Sequence, residues 1–125
     1  TTKVISSHGR SDSANLETQD KLYLLSSEEI YSDFVSSSNA KYDTSVGTSK
    51  QLDYYKNQGV TIGNYAKAIK QNNGSDSSWW LRSAGYDVAD GFKAVRPGGS
   101  EGGEWFGGGF SSINCLGVSP AFRIA

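Results

Sequence analysis

A run of six residues, WWLRSA at positions 79–84, is the densest apolar and aromatic stretch in the chain. A short run of this kind, preceded by serines and followed by a glycine, predicts a central β-strand. Successive side chains of a strand point to opposite faces of its sheet. Trp79 and Trp80 should therefore face opposite sides, and we expect both faces of this strand to be covered at least in part.

Two helices are predicted before this run. Ser26 and Glu29 have the spacing of a capping box, so a helix should begin there and continue through Phe34. Thr48 can cap a second helix over 49–58, and the glycine that follows is its C-terminal stop. Alternating or apolar segments predict strands at 3–6, 21–25 and 92–95, and residues 71–78 are typical of a turn-rich loop.

The last segment, residues 117–124, predicts a closing strand. Val118, Phe122 and Ile124 share parity, so we expect them to face one core. Pro120 favours an edge position or an irregular start for this strand, because proline cannot donate to a β-ladder.

Length and composition limit the choices of function. The 125 residues suit one domain over 1–125, with 1–20 as a partial N-terminal extension and 85–117 as a loop-rich binding region. The net charge of −1 gives no general attraction to nucleic acid. No apolar run approaches the roughly 20 residues that a membrane-spanning helix needs. One cysteine and one histidine exclude an internal disulfide and disfavour a zinc site.

Three features can be interpreted as binding chemistry or as ordinary structure. Arg82 either binds an anionic group or holds backbone carbonyls or a carboxylate, and we favour the structural role. Trp79 and Trp80 form either a sugar-stacking platform or part of the core, and we favour the core, with Trp80 packed centrally. Four loop carboxylates either ligate Ca²⁺, act as an acid/base pair, or are solvated charges, which we favour: Asp87, Asp90, Glu101 and Glu104.

Four segments occur in the order KLYLLSSEEIY, GNYAKA, WWLRSA and GVSPAFRI, over about residues 20–124. The sequence resembles, in these segments, a family of bacterial and phage domains of uncharacterised function, which looks related to the C-type-lectin-like fold. Ser119 stands where many members carry arginine. The resemblance implies an α+β fold with a small twisted antiparallel sheet, two helices and long irregular loops.

The C-type-lectin-like fold includes formylglycine-generating enzymes and the variable proteins of diversity-generating retroelements. The enzymes use a pair of cysteines and this chain has only Cys115, so their activity is not implied. The EPN, QPD and WND calcium motifs of sugar-binding lectins are absent from the sequence. The resemblance therefore implies no catalytic residue, no metal and no cofactor.

The glycine-rich region matches the residue set of the retroelement proteins. Randomising the adenines of their codons never yields Lys, Glu, Gln, Trp or Met, and residues 85–91 and 107–116 contain none of these five. Lys93, Glu101, Glu104 and Trp105 lie outside the permitted set and would be fixed positions. The pattern favours a surface that is built to vary.

We therefore expect a non-enzymatic recognition domain, in its specific form a retroelement variable protein that binds a protein or glycan on a target cell or particle. Its expected place is extracellular, on a cell surface or on a virion. The alternatives are a structural domain of a larger bacterial surface or phage protein, and a carbohydrate-binding module. The candidate ligand-binding residues are Tyr86, Asp87, Val88, Asp90, Arg96, Glu104, Trp105, Phe106, Phe110, Ser112, Ile113 and Asn114.

Overall fold

The structure is a computed structural model, and it describes residues 1–7, 15–34, 43–85, 91–97, 110–111 and 116–124. Within these residues the strands form three two-stranded sheets and one three-stranded sheet, all antiparallel. Two short α-helices and one 3-10 helix complete the described elements. The predicted α+β class is confirmed.

The elements have the following bounds along the chain. The N-terminal half contains β1 (Thr2–Ser7), β2 (Asn15–Asp20), β3 (Tyr23–Leu24), α1 (Ser27–Ile30) and α2 (Asp53–Asn57). The rest contains the 3-10 helix (Ala66–Ala68), β4 (Lys70–Asn72), β5 (Ser75–Ser77), β6 (Trp79–Ala84), β7 (Gly91–Val95), β8 (Phe110–Ser111) and β9 (Pro120–Ala121). The four sheets pair β1 with β2, β3 with β9, β4 with β5, and β7 with both β6 and β8.

The tryptophan run forms β6, as predicted, and the strand is flanked along both edges. On one edge it pairs with β7, in the register Trp79 opposite Val95. On the other edge, the Trp80 amide donates to the Gly117 carbonyl at 2.9 Å. A Cβ atom on Gly117 would lie 3.1 Å from the Ser78 carbonyl oxygen, so a larger residue here would require the facing backbone to shift by a few tenths of an ångström.

The two faces of β6 are unequally covered. Trp79 and Leu81 are 2% and 1% exposed, whereas Trp80 is half-buried on the other face. The expectation that Trp80 packs centrally is therefore wrong, because the alternation of the strand directs Trp79 into the core. The described core cluster consists of Leu25, Ile30, Tyr31, Tyr55, Val60, Ala68, Trp79, Leu81 and Val95.

Helix α1 has the predicted capping box but ends earlier than predicted. The Ser26 hydroxyl accepts from the Glu29 amide at 3.2 Å, and the Glu29 carboxylate accepts from the Ser26 amide at 3.0 Å. The helix stops after Ile30, because Tyr31 is extended at φ −102° and ψ 132°. Phe34 therefore lies outside the helix and packs against the core from the segment that follows.

Helix α2 is also shorter than predicted, and Thr48 does not cap it. Its N-cap is Leu52, and it covers only 53–57 of the predicted 49–58. The Thr48 hydroxyl instead donates to the Ser45 carbonyl at 2.7 Å, which closes a local turn. Gly59 follows the helix at φ +68°, in agreement with the predicted stop.

Two segments predicted as polar or loop form strands. Residues 71–78 were expected to be a loop, but β4 and β5 pair across an Asn73-Gly74 turn with φ of 53° and 79°. These positive values fit the tight hairpin turn that Asn-Gly favours. Strand β2 pairs with β1 over six residues, in a stretch for which the sequence predicted no strand.

The C-terminal segment contradicts the predicted strand. Only Pro120 and Ala121 form a strand, opposite Leu24 and Tyr23 of β3, and β3 is itself shorter than the predicted 21–25. Gly117 makes an isolated bridge to Trp79. Val118, Phe122 and Ile124 are 69%, 63% and 88% exposed, so their expected place in one core is wrong. The ladder with β3 ends after two residue pairs, and without a longer ladder the shared parity does not direct these side chains inward.

Candidate functional site

The three-stranded sheet brings two candidate segments to one end. Gly91 lies opposite Ser111 in the β7–β8 ladder, and the Gly85 amide donates to the Gly91 carbonyl at 2.7 Å. We call the sheet end formed by Gly85, Gly91 and Ser111 the loop end. The chain leaves this end at 86–90 and again at 112–115, so two separate parts of the sequence start from neighbouring backbone positions.

Most of the predicted ligand-binding residues lie outside the described residues. They are Tyr86, Asp87, Val88, Asp90, Glu104, Trp105, Phe106, Ser112, Ile113 and Asn114. Glu101, His8 and Cys115 also lie outside them. What the structure supplies for these positions is the place at which their segments join the sheet.

The two described candidates lie at different places. Phe110 belongs to β8 and pairs with Phe92 of β7, next to the loop end. Arg96 follows β7 at the end remote from Gly91, where it is half-buried and engaged with a neighbouring group. The structure therefore places Phe110 at the loop end but does not bring Arg96 there.

Phe92 is a ring at the loop end that the sequence analysis assigned only to a strand. Its side chain is 41% exposed, whereas the next three residues of β7 are buried. Aromatic rings that stay exposed on a rigid strand are typical anchors of binding surfaces. The signal available in the sequence was an aromatic residue placed directly after a glycine-rich loop.

Arg82 is an interior residue, as the structural interpretation predicted. Its side chain is 9% exposed, and its guanidinium donates to the Leu24 carbonyl at 2.7 Å and to the Ile5 carbonyl at 3.3 Å. The nitrogen that donates to Leu24, Nη1, also lies 2.7 Å from the Glu29 carboxylate. Arg82 therefore joins β1, β3 and α1 to β6, and the contacts it makes are internal.

Glu29 is the acidic partner of Arg82. Its carboxylate is fully buried and accepts from the Ser26 amide, from the Ser45 amide at 2.7 Å, and from Arg82. A buried carboxylate needs this degree of pairing, because its transfer out of water is costly. We call Arg82 and Glu29 the buried ion pair.

The neighbouring Glu28 is buried without comparable partners. It is 3% exposed, and one of its carboxylate oxygens has no hydrogen-bond partner among the described residues. Burial, and next the negative charge of Asp43, raise the pKa of Glu28 to about 8, although the charge of Arg82 opposes this. A strongly perturbed carboxyl is a common feature of catalytic sites. Here its chain neighbours Ser27 and Glu29 are buried as well.

The tryptophans support the core interpretation. The Trp79 indole nitrogen donates to the Ala68 carbonyl at 3.1 Å, and the Lys70 ammonium lies 4.9 Å from the ring centre. A buried indole with its N–H satisfied is the arrangement expected for a structural tryptophan. A platform made of both rings is excluded, because Trp79 is 2% exposed.

A groove of about 930 Å³ lies beside the C-terminal segment, and the sequence analysis did not predict it. Its lining includes Lys3, Asp20, Lys21, Leu22, Phe122 and Arg123. The available signal was the apolar pair Phe122 and Ile124 together with Leu22, which the sequence analysis assigned to strands. We call this feature the basic groove.

Two further properties concern only the described part of the chain. It contains no group of three or more His, Cys, Asp or Glu residues placed to hold a metal ion. None of its helices has the length and apolar character that crossing a membrane requires.

Comparison with known proteins gives one match. Residues 1–125 match the model of a family described as a domain of unknown function, DUF6273. No curated protein matches the chain, and no solved structure matches it. Because the family model covers all 125 residues, the chain belongs to the DUF6273 family.

Proposed function

We propose that this chain is a non-enzymatic recognition domain with a C-type-lectin-like fold, and that it binds its ligand at the loop end. The ligand is a protein or a glycan on a target cell or particle, and the domain acts outside the cell, at a cell surface or on a virion. The observation that carries this proposal is the convergence of Gly85, Gly91 and Ser111 at one end of the three-stranded sheet.

The register of the sheet supports the proposal. Segments 86–90 and 112–115 are more than 20 positions apart in sequence, yet they leave the sheet from neighbouring strands. Binding surfaces are commonly built from loops that a rigid scaffold holds at one end. Segments that start side by side can contribute to one contact area, and Phe92 adds an exposed ring beside them.

The position of the WWLRSA segment in the interior also supports the proposal. Residues of WWLRSA form interior contacts: Trp79 and Leu81 are in the core, and Arg82 belongs to the buried ion pair. Side chains used in this way cannot vary freely, since replacing them leaves cavities or unpaired charge. We call the core cluster and the buried ion pair the frame. Variation is then directed to segments outside the frame, among them 86–90 and 112–115.

The specific form of the proposal is a variable protein of a diversity-generating retroelement. It rests on the residue set of 85–91 and 107–116, which lacks Lys, Glu, Gln, Trp and Met. Sequencing the DNA around the coding region tests it. We expect a near-copy of this region that differs at adenines, close to a reverse transcriptase gene. A coding region without such a template would contradict the proposal that this is a retroelement variable protein. The recognition function itself is tested by the binding experiment.

The binding experiment uses arrays of purified glycans and purified bacterial surface proteins. The 125-residue chain should bind at least one of them, and the triple variant Tyr86→Ser, Phe92→Ser, Ile113→Ser should bind it at least about tenfold more weakly, because exposed rings are frequent energetic anchors. The matched control is Leu16→Ser, Tyr54→Ser, Val118→Ser, which removes exposed apolar side chains elsewhere.

The two triple variants separate recognition from stability. Both should keep the circular dichroism spectrum of the wild type and unfold within a few degrees of it, since the described residues that they change are exposed. If the loop-end variant retains full affinity, or if the control loses as much affinity, the loop end is not the binding surface. If the loop-end variant unfolds, its side chains are part of the core and the domain is structural.

A further inference from the structure

We propose that the basic groove is a second binding site, separate from the loop end, and that it takes an extended acidic peptide segment by strand addition. The groove lies where the β3–β9 ladder ends. It is lined by the segments around Lys21 and Arg123, with β1 on a further side. Its concave form, of about 930 Å³, suits a peptide better than a flat membrane surface.

The backbone beside the groove is available for pairing. Strand β9 pairs with β3 only through Ala121 with Tyr23 and Pro120 with Leu24. Beyond Ala121, the backbone of 122–124 makes no hydrogen bond to another described backbone group. An unpaired extended backbone is the template that strand addition uses.

The side chains beside the groove offer apolar contacts. Leu22, Phe122 and Ile124 are 62%, 63% and 88% exposed. Phe122 and Ile124 are alternate residues of the segment that follows β9, so an added strand with apolar side chains at alternate positions would match their spacing. Exposed apolar residues that cluster in this way mark interaction sites more often than isolated ones do.

The charge of the groove selects an acidic occupant. Its lining contains Lys3, Lys21 and Arg123, and its one acidic side chain is Asp20. Lys3 is paired with Glu17 at 2.9 Å, whereas Lys21 and Arg123 have no ion pair among the described residues. The whole chain carries a net charge of −1, so this positive lining is a local feature.

Gly47 places the Arg123 guanidinium at the groove. A Cβ atom on Gly47 would lie 2.5 and 2.8 Å from the two terminal nitrogens of Arg123, so the guanidinium lies directly over this glycine. Gly47 has φ of +86°, which other residues rarely adopt. The turn at Gly47 therefore combines a backbone conformation that favours glycine with a close approach of the Arg123 guanidinium.

The test measures binding of a fluorescein-labelled nonapeptide in which glutamate alternates with valine. We expect a Kd of about 100 µM or tighter by fluorescence polarisation, and slower hydrogen exchange at the amides of residues 122–124. A peptide in which lysine replaces each glutamate should bind at least about tenfold more weakly. Anionic phosphatidylserine vesicles form the second arm.

Matched variants locate the site. Lys21→Glu, Arg123→Glu should weaken peptide binding at least about tenfold, whereas Lys56→Glu, Lys67→Glu makes the same charge change at exposed sites elsewhere and should leave binding unchanged. Leu22→Ser should weaken binding without changing the unfolding temperature, since this side chain is exposed.

Three outcomes would overturn the proposal. They are a Kd above about 1 mM for the acidic peptide, equal binding of the two peptides, or equal effects of the two charge-reversed variants. Binding of the vesicles but not of the acidic peptide would show that the patch is a membrane-contacting surface. Each result is independent of the loop-end variants, so this site and the proposed function can fail separately.

Discussion

Strand β6 is held by many side-chain contacts around the buried ion pair but, among the described residues, by few contacts at the loop end. Near the middle of β6, Arg82 donates to two carbonyls and to Glu29, and Trp79 and Leu81 are in the core. At its end, Gly85 makes a single backbone bond to Gly91, beside the exposed ring of Phe92. Strand β6 therefore supplies both the connections that fix the fold and the end at which segment 86–90 begins, beside the β8 position from which segment 112–115 begins.

The largest expected loss of stability comes from replacing the buried tryptophan of β6, and its half-buried neighbour gives the comparison. We expect Trp79→Ala to cost about 3–5 kcal/mol of unfolding free energy, because it removes a buried ring and leaves a cavity. Trp80→Ala should cost clearly less, since its ring is half-buried. Urea unfolding of both variants measures the two costs. Equal costs, or a larger cost at Trp80, would contradict the described packing of β6.

The second prediction concerns the buried ion pair. Arg82→Met should cost about 3 kcal/mol, because Glu29 is then left as an unpaired buried carboxylate. Arg123→Met, at an exposed arginine, should change stability by less than about 0.5 kcal/mol. Thermal and urea unfolding compare the two variants. The double variant Arg82→Met, Glu29→Gln should lose less stability than the two single losses added together, and a loss equal to or larger than that sum would contradict the pairing.

The sequence predicted the parts of the fold that depend on local chemistry. The capping box at Ser26 and Glu29, the β6 strand and the stop at Gly59 all follow from residue type and spacing. The lengths of the helices did not follow, because Tyr31 turns extended and Thr48 bonds to Ser45 instead of a helix. The Thr48 bond is local, but a threonine hydroxyl can serve either as a helix cap or as the donor of a turn, and its residue type does not decide between the two.

The candidate sites were less predictable than the fold. The structural role of Arg82 could be anticipated from a lone charge in an apolar strand. The partner Glu29 could not, since 53 positions separate the two residues. The basic groove was not predicted because shared parity at Phe122 and Ile124 normally indicates that both side chains face a core. Strand β9 pairs over only two residues, so these side chains lie beyond the ladder.

A smaller, pH-dependent effect on stability is expected at Glu28, the buried glutamate next to Glu29. Because the folded state raises the pKa of Glu28 to about 8, the unfolded chain loses this proton first as the pH rises. Stability linked to Glu28 is complete below the unfolded value of 4.5 and is lost as the pH rises through about 8. Glu28→Gln removes this loss, so between about pH 5 and about pH 9 its stability relative to wild type should rise by at least about 1.4 kcal/mol, the worth of about one pKa unit.

Unfolding temperatures from about pH 5 to about pH 9 measure this effect. The difference between Glu28→Gln and wild type should grow with pH. The matched control is Glu17→Gln on the exposed strand β2, where a comparable rise is not expected. A difference that stays constant or shrinks with pH would contradict the raised pKa that burial gives Glu28.

The smallest effect on stability is expected at the loop end, and its measurement tests the separation of frame and binding surface most directly. A library that randomises Tyr86, Asp87, Val88, Asp90, Ser112, Ile113 and Asn114 together is displayed and sorted for protease resistance after heating. If these side chains are not part of the core, most members should unfold within a few degrees of the wild type, as surface substitutions usually do. If most members are unfolded, the seven side chains belong to the frame, and the distinction between frame and display surface is wrong.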